Sequence, residues 1–218
     1  EYIIQSAIAS GIKIFTIVDS NRYLKYLTKY GDDVLIIPII GNVMEAKLAE
    51  RMGAKAVICE GQESGGRIGR LSLFSLLPQV VDAIKIPVIA AGGIADSRGM
   101  RAAFALGAQG IQMGTRFLAS EECSVIEEYK KRILKAKDVD SIVIFNKINY
   151  PVRVIKNKFA IEYSRKERND ISKEELIALS KGRLKLAAES DTDAGTMHAG
   201  EVAGLIREAK SVRDIIKE

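Results

Sequence analysis

Short apolar runs alternate with helix-period runs between Ile12 and Thr115. The apolar runs are continuous and rich in β-branched residues, which is typical of strands buried on both faces of a parallel sheet. The pattern predicts strands at 13–18, 34–40, 56–60, 87–91 and 110–114, and helices at 22–30, 43–52, 73–84 and 97–106. Repeated βα units with short connections occur both in doubly wound sheets and in (β/α)8 barrels, and both remain open at this point.

The beginning of the chain looks like an incomplete repeat. Several predicted helices end at a glycine, Gly31, Gly53 and Gly107, which suits the left-handed conformation that closes a helix. A further helix is predicted at 2–10, before Gly11, but no strand precedes it. The chain also opens with glutamate rather than methionine, and we therefore expect more of the fold upstream.

The pattern changes after Arg116. We predict a helix at 121–137, an irregular or β segment at 142–158, a charged helical segment at 165–186, a small-residue loop at 192–200 and a closing helix at 201–217. No Pro/Ser-rich linker separates these segments from the βα repeats. We therefore expect one body, with residues 1–120 as the βα part and residues 121–218 as a C-terminal extension packed on it.

Composition excludes several classes of protein. The 218 residues are 47% hydrophobic, and the two cysteines form no C-x-x-C pair, so neither a disulfide scaffold nor a metal site is expected. No apolar run reaches the roughly 18 residues of a membrane span, and no signal peptide opens the chain. A cytoplasmic protein is the default expectation. The single histidine leaves little histidine-based acid–base chemistry.

Positive charge is concentrated late in the chain. The formal net charge is +5, whereas residues 128–185 alone carry 16 basic and 8 acidic side chains. Such a segment attracts a phosphorylated ligand or an acidic protein, although a solvated lysine-rich surface is the simpler reading. No nucleic-acid-binding motif accompanies it, so nucleic acid is not an expected partner.

Glycine accumulates where three consecutive predicted strands end. The sequences there are EGQESGGRIG at 60–69, AAGGIAD at 90–96 and QMGTR at 112–116. Ligands of parallel βα folds bind at this edge, and glycines let backbone amides approach a phosphate closely. The three glycine-rich strand ends, together with the Thr115 hydroxyl as a further donor, predict a phosphate-binding site. Glu63 and Arg116 can equally be salt-bridge residues, Asp96 an N-cap, and Met113 a packing residue.

These motifs resemble the FMN-dependent family that contains nitronate monooxygenases and class II enoyl-acyl-carrier-protein reductases. The resemblance covers nearly the whole chain. Its most specific parts are EGQESGGRIG, IPVIAAGGIAD at 86–96 and IQMGTRF at 111–117, whereas VRVIKN at 152–157 and DAGTMHAGEVAGL at 193–205 look like the enoyl-reductase branch.

The resemblance implies a (β/α)8 TIM barrel of which the chain holds about the last five βα units, with FMN at the C-terminal face. On this basis about 90 residues would precede Glu1. The residues that fall on flavin or phosphate positions are Glu60, Gly65, Gly92, Gly93, Gln112, Met113, Gly114 and Thr115. NAD(P)H is the implied reductant, with a small-molecule or acyl-thioester substrate, an acyl carrier protein and a homodimer as the partners to consider.

The chain departs from the family pattern at four places. Arg67 stands where the family has histidine, and an arginine stays protonated and cannot remove a proton. Instead it can stabilise an oxyanion or bind a ligand phosphate. The end of the first strand, residues 17–21, lacks the expected glycines, and the first three βα units have no counterpart. The only histidine, His198, replaces a usual methionine, and we expect packing or surface placement rather than catalysis.

Three functions compete at this point. The leading one is an FMN-dependent reductase that uses NAD(P)H to reduce an enoyl thioester, as in fatty acid biosynthesis. The second is a nitronate monooxygenase that oxidises nitronates or nitroalkanes with O2, which Arg67 argues against. The third is a non-catalytic flavin-binding protein or a degenerate fragment, favoured by the same departures.

Overall fold

The computed structural model describes residues 2–18, 30, 34–169 and 171–218. These residues form two compact units. Unit 1 holds the described residues up to Gly61 together with Arg70–Ala91 and Ala102–Gln112, and unit 2 holds Gln62–Gly69, Gly92–Arg101 and Met113–Glu218. The boundary between residues 120 and 121 stays a prediction.

The described elements follow the predicted order over the first half of the chain. The strands are β1 (Ile14–Val18), β2 (Leu35–Ile40), β3 (Val57–Glu60), β4 (Gly66–Arg67), β5 (Val88–Ala91), β6 (Gly110–Gln112), β7 (Ser141–Ile144) and β8 (Val152–Ile155). The α-helices are α1 (Tyr2–Ala9), α2 (Val43–Arg51), α3 (Leu73–Ala83), α4 (Ser97–Ala105), α5 (Thr115–Leu118), α6 (Glu127–Lys135), α7 (Lys158–Arg168), α8 (Lys173–Ser180), α9 (Arg183–Glu189) and α10 (Val212–Lys217). A 3₁₀ helix covers Glu201–Leu205.

Unit 1 is built on a five-stranded parallel sheet in the order β1-β2-β3-β5-β6. The spatial order therefore follows the chain order, and among the described residues no strand lies on the other side of β1. A doubly wound sheet reverses its strand order at a switch point, whereas a (β/α)8 barrel does not. The described sheet has the barrel order.

Burial in unit 1 agrees with continuous apolar strands. Val57, Ile58 and Cys59 of β3 are at most 2% exposed, and Leu76 and Leu77 of α3 are fully buried. Both faces of the central strand are thus covered, as the unbroken apolar run predicts. Asn42 caps the start of helix α2, and its side-chain oxygen accepts from the amide of Glu45 at 2.9 Å.

The predicted glycine helix ends are confirmed where they are described. Gly53 has φ +88° and Gly107 has φ +96°, both in the left-handed region that favours glycine. At Gly107 a Cβ atom would also lie 2.7 Å from Cγ1 of Val81, so space as well as conformation requires glycine. Gly31 and the helix predicted at 22–30, apart from the helical Tyr30, lie outside the described residues.

Unit 2 contains a three-stranded antiparallel sheet in the order β4-β8-β7. The segment expected to be irregular or β at 142–158 therefore supplies two strands. The turn between them uses Phe145 at φ +67° and Asn149 at φ +59°. One apolar cluster, which includes Val152, Val154 and Tyr163, packs this hairpin against α7 and α8.

Three predicted helices have different bounds in the structure. The first, at 121–137, is wrong over its first turn and a half, because residues 121–126 are not helical and only Glu127–Lys135 is. The segment at 165–186 is divided among α7, α8 and α9. Gly182, at φ +72°, precedes α9, and Ser172 and Glu175 form a capping box that starts α8.

The predicted closing helix at 201–217 is also wrong in part. It is a 3₁₀ helix at Glu201–Leu205, an irregular stretch, and α10. Gly204 packs closely, because a Cβ atom there would lie 3.0 Å from the amide nitrogen of Asp138. Ser211 then starts α10 by accepting from the amide of Asp214. Local capping and packing thus outweigh the helical periodicity.

No helix within the described ranges is long and apolar enough to cross a membrane.

Candidate functional site

The carboxyl edge of the unit 1 sheet carries two predicted flavin contacts, Glu60 and Gln112, on either side of β5. In the strand register Glu60 pairs with Ala91, and Ala91 pairs with Gln112. The amide of Gly61 then donates to the carbonyl of Ala91 at 2.9 Å. Strand ends 60, 91 and 112 are therefore level, as expected for parallel strands whose ends form one edge.

The glycine-rich loop that we call the 62–69 loop (Gln62–Gly69) belongs to unit 2. Its second half forms β4, which pairs Gly66 with Arg153 and Arg67 with Val152 of β8. A Cβ atom at Gly65 would lie 2.5 Å from the carbonyl carbon of Ala199. Gly65 is therefore required for close packing against a second loop, in addition to the flavin contact that the resemblance implies.

That second loop is the 196–201 loop (Thr196–Glu201), and it packs against the first. The amide of Glu201 donates to the carbonyl of Glu63 at 3.0 Å. The amide of Gly200 donates to Oγ1 of Thr115 at 2.9 Å, and the Tyr129 hydroxyl donates to the carbonyl of His198 at 2.9 Å. The C-terminal small-residue loop is thus part of the framework of the site.

The turn after β5 contains two successive left-handed glycines, Gly92 at φ +89° and Gly93 at φ +72°. The side chain of Glu63 lies against Gly93, with its Cβ 3.6 Å from the position that a Gly93 Cβ would take. This contact brings the predicted phosphate turn and the 62–69 loop together within unit 2. Both glycines are held in a conformation that other residues rarely adopt.

Asp96 caps helix α4, as predicted. Its Oδ1 accepts from the amides of Arg98 at 2.9 Å and Gly99 at 3.4 Å. The Arg98 guanidinium also donates to Asp96 and lowers the pKa of the carboxyl below its ordinary value. The first amides of this helix are therefore already satisfied by a side chain.

The third glycine-bearing strand end keeps one open side. Nothing lies within 4 Å of the position that a Cβ of Gly114 would occupy. Met113, next to it, is half-buried, and the following Thr115 is 6% exposed. Arg116 donates to the carbonyl of Glu208 at 3.1 Å, which confirms a structural contact for this arginine.

Arg67 is exposed and lies against an aromatic ring. Its guanidinium carbon lies 5.2 Å from the centre of the Tyr150 ring, and the residue is exposed. Because side chains alternate across a strand, Arg67 and the buried Gly66 face opposite sides of β4. The residue at the family histidine position is therefore an accessible cation on an aromatic platform.

His198 packs against Gly66 of β4. Its Nδ1 lies 3.2 Å from the position that a Cβ of Gly66 would take, and Gly66 has φ +79°. Burial lowers the pKa of His198 from 6.5 to about 4. The imidazole is neutral at physiological pH and on the face of β4 opposite to Arg67, which favours the predicted packing role.

Ser64 is the group in this framework that points most directly to a ligand. The residue is 8% exposed, and its hydroxyl has no hydrogen-bond partner among the described residues. A buried hydroxyl without a partner costs about 1–3 kcal/mol, so a bound group that pairs with it is favoured. Together with the open side of Gly114 and the left-handed glycines, it fits a phosphorylated cofactor. The described residues contain no group of three or more side chains suited to a metal ion.

Comparison with known proteins now adds the family. A family model described as nitronate monooxygenase matches residues 8–218, which is nearly the whole chain. The chain belongs to the nitronate monooxygenase family. Members of this family and FabK, an enoyl-acyl-carrier-protein reductase to which this chain is similar, are flavin-dependent.

Three relatives show the range of the family. FabK from Thermotoga maritima is 39% identical, with a TM-score of 0.91 over 98% of this chain and 68% of its own. A carboxyl-CoA dehydrogenase of a hydroxy-methyl-oxo-octahydroindene from Rhodococcus jostii is 32% identical over 84% of this chain. A probable nitronate monooxygenase from Staphylococcus saprophyticus is 42% identical over 56% of this chain. FabK is a TIM barrel, so the predicted fold class is confirmed.

The relatives also differ from this chain in length. The chain spans 63% of the Rhodococcus relative and 39% of the staphylococcal one. The activity of the whole protein is therefore considered below as a proposal.

The sequence placed most of the candidate residues in the loops where the structure has them. Those that belong to unit 2 are Gly65, Arg67, Gly92, Gly93, Met113, Gly114, Thr115 and His198. Glu60 and Gln112 stand at the sheet edge of unit 1. Sequence reasoning missed Ser64, Tyr150 and Arg153, although the motifs that contain Ser64 and Arg153 had been singled out.

Proposed function

We propose that the protein is an FMN-dependent oxidoreductase that reduces an enoyl thioester with NAD(P)H. The observation that carries the proposal is Arg67, an exposed cation against Tyr150 at the position where a monooxygenase needs a base. An arginine cannot accept the proton α to a nitro group, but it can bind an anion. The reaction consumes one NAD(P)H and one proton for each double bond reduced.

Two relatives support a thioester substrate. FabK is an enoyl-acyl-carrier-protein reductase, and the Rhodococcus relative is named for a carboxyl-CoA compound. Both classes of substrate carry phosphate groups and a thioester carbonyl. The Arg67 guanidinium would stabilise negative charge on the carbonyl oxygen or pair with a phosphate.

The glycine turns and Ser64 would hold the cofactor. Backbone amides at Gly92–Gly93 and at Gly114–Thr115 would bind the FMN phosphate, and the Ser64 hydroxyl would donate to a polar atom of the flavin. The resemblance adds Glu60, Gly65, Gln112 and Met113 as further contacts. When bound, FMN supplies the hydride transfer between NAD(P)H and substrate.

The basic segment suggests the partner. Residues 128–185 carry 16 basic against 8 acidic side chains, which suits an acidic acyl carrier protein in the cytoplasm. The association would weaken as salt is raised, because exposed charges are screened over about 10 Å at 0.1 M salt. A homodimer is the oligomeric state to examine first.

The test measures bound cofactor and enzymatic turnover together, on the full-length protein. We expect bound FMN, identified after release by chromatography, and NAD(P)H oxidation that depends on a crotonyl thioester under anaerobic conditions. Bound FMN without thioester-dependent turnover would support a non-catalytic flavin-binding protein instead. A protein that takes up no flavin would contradict the proposal.

Nitronate monooxygenase is the second candidate, because the family model and the staphylococcal relatives carry that name. In that case the wild-type protein consumes O2 with propionate-3-nitronate and needs no NAD(P)H. Arg67→His would then raise the rate by restoring a base. An unchanged rate of nitronate oxidation in that variant would argue against a monooxygenase.

A further inference from the structure

The 62–69 loop is held from two directions by one buried arginine. Arg153 lies on β8, the central strand of the antiparallel sheet, and its backbone pairs with Gly66. Its Nε donates to the carbonyl of Gln62 at 3.1 Å. The two ends of the five-residue turn from Gln62 to Gly66 therefore both contact Arg153.

The rest of the guanidinium is also paired. Nη1 donates to Oγ of Ser141 on β7 at 3.1 Å, and Nη2 lies 2.9 Å from Oε1 of Glu201. The Arg153 side chain is only 9% exposed. A planar guanidinium can serve three partners in fixed directions, whereas a lysine ammonium cannot reproduce this fork.

Glu201 closes the arrangement. Its carboxylate pairs with Arg153, and its amide donates to the carbonyl of Glu63. Gly200, just before it, packs closely on the loop, because a Cβ atom there would lie 2.6 Å from the same Glu63 carbonyl oxygen. Residues on both sides of Ser64 are thus fixed by Arg153 and Glu201.

We propose that Arg153, with Glu201, is a positioning residue that sets the 62–69 loop in the conformation required to bind the cofactor. The identity of the cofactor, FMN, rests on the proposed function. The ordering of the 62–69 loop by Arg153 does not. Loss of the guanidinium leaves the Gln62 carbonyl and the Glu201 carboxylate without their partner, so the loop relaxes. Ser64 and the glycine turn that Glu63 contacts then lose their alignment.

Two measurements on the full-length protein test the ordering of the loop and the binding of FMN separately. The first is amide hydrogen exchange of residues 62–67 in the flavin-free protein, and the second is the dissociation constant of FMN from flavin fluorescence. The variants are Arg153→Lys, Arg153→Met and Glu201→Gln, with Arg183→Met as the control. Arg183 is another partly buried arginine of unit 2 that donates to two carbonyls, those of Leu179 and Ala194.

We expect Arg153→Met to speed exchange in the loop and to raise the FMN dissociation constant at least about tenfold. Arg153→Lys should give a smaller change, and Glu201→Gln the smallest, since the amide oxygen still accepts. Arg183→Met should leave both quantities unchanged. Arg153→Lys and Glu201→Gln keep a polar partner at each site. They therefore provide the same two measurements if Arg153→Met does not fold.

Unchanged loop exchange in folded Arg153 variants would overturn the positioning role. Faster exchange with an FMN dissociation constant within about twofold of wild type would overturn its link to the cofactor. A wild-type protein that binds no FMN would instead overturn the proposed function, and the exchange measurement would still decide whether Arg153 orders the loop.

Discussion

The guanidinium carbon of Arg67 lies 5.2 Å from the centre of the Tyr150 ring. A cation held on an aromatic face is oriented without being neutralised, so it remains available for an anionic ligand. We therefore predict that Arg67→Ala lowers kcat/KM for an enoyl thioester by about ten- to a hundredfold, the range of a charge-assisted hydrogen bond. Arg67→Lys should recover part of the loss.

Tyr150→Phe is the matched control for this prediction. It keeps the ring under the guanidinium and removes only the hydroxyl, so kcat/KM should stay near the wild-type value. Steady-state kinetics with a crotonyl thioester measure all three variants. If Arg67→Ala were as active as wild type, Arg67 would have no role in binding the substrate.

Removal of the Ser64 hydroxyl should weaken cofactor binding more than it changes the stability of the fold. The hydroxyl is buried and has no protein partner within the described part of the chain. We expect Ser64→Ala to leave the free energy of unfolding of the flavin-free protein unchanged or slightly raised. The FMN dissociation constant should rise several-fold, by the loss of about 1 kcal/mol. Equal FMN affinity in both proteins would show that Ser64 does not contact the cofactor.

Two glycines of the site should respond differently to alanine. Gly65→Ala places a methyl group 2.5 Å from the carbonyl carbon of Ala199, whereas nothing lies within 4 Å at Gly114. We expect Gly65→Ala to destabilise the protein by at least about 2 kcal/mol and Gly114→Ala to change stability by less than about 0.5 kcal/mol. Urea unfolding of the flavin-free variants measures both. Similar losses at the two positions would contradict the described packing of the 62–69 loop.

His198 should make the protein less stable in acid. Burial lowers its pKa from 6.5 to about 4, so between these pH values the unfolded chain binds the proton more readily. The contribution to stability is complete above pH 6.5 and is lost as the pH falls towards 4, by about 3 kcal/mol in total. His198→Gln removes the titration. The difference in unfolding free energy between the two proteins should therefore change between pH 7 and pH 4, and a constant difference would contradict the lowered pKa.

The fold of the first half of the chain could be predicted because its signals are local. Continuous apolar runs such as residues 56–59 and the left-handed glycines Gly53 and Gly107 each determine their own element. The level carboxyl ends of β3, β5 and β6 also followed, because neighbouring parallel strands end at the same edge of a sheet. The second half depends on contacts that are distant in sequence, such as Arg153 with Gln62 and Thr115 with Gly200.

The roles of individual residues were harder to infer than their location. Gly65 was expected to contact the flavin, and the structure adds a requirement for packing against Ala199 that the sequence does not show. Ser64 gave no signal of its own, since an unpaired hydroxyl is recognised only when its surroundings are known. Helical periodicity at 201–217 misled because Gly204 packs tightly on residues 137–138 and Ser211 starts a new helix.

The most direct test of the proposed chemistry compares two reactions of the wild-type full-length protein. One is anaerobic NAD(P)H oxidation with a crotonyl thioester, and the other is O2 consumption with propionate-3-nitronate in the absence of NAD(P)H. Because Arg67 cannot act as a base, we predict turnover in the first reaction and at most a residual rate in the second. Efficient nitronate oxidation without thioester reduction would contradict the proposed function.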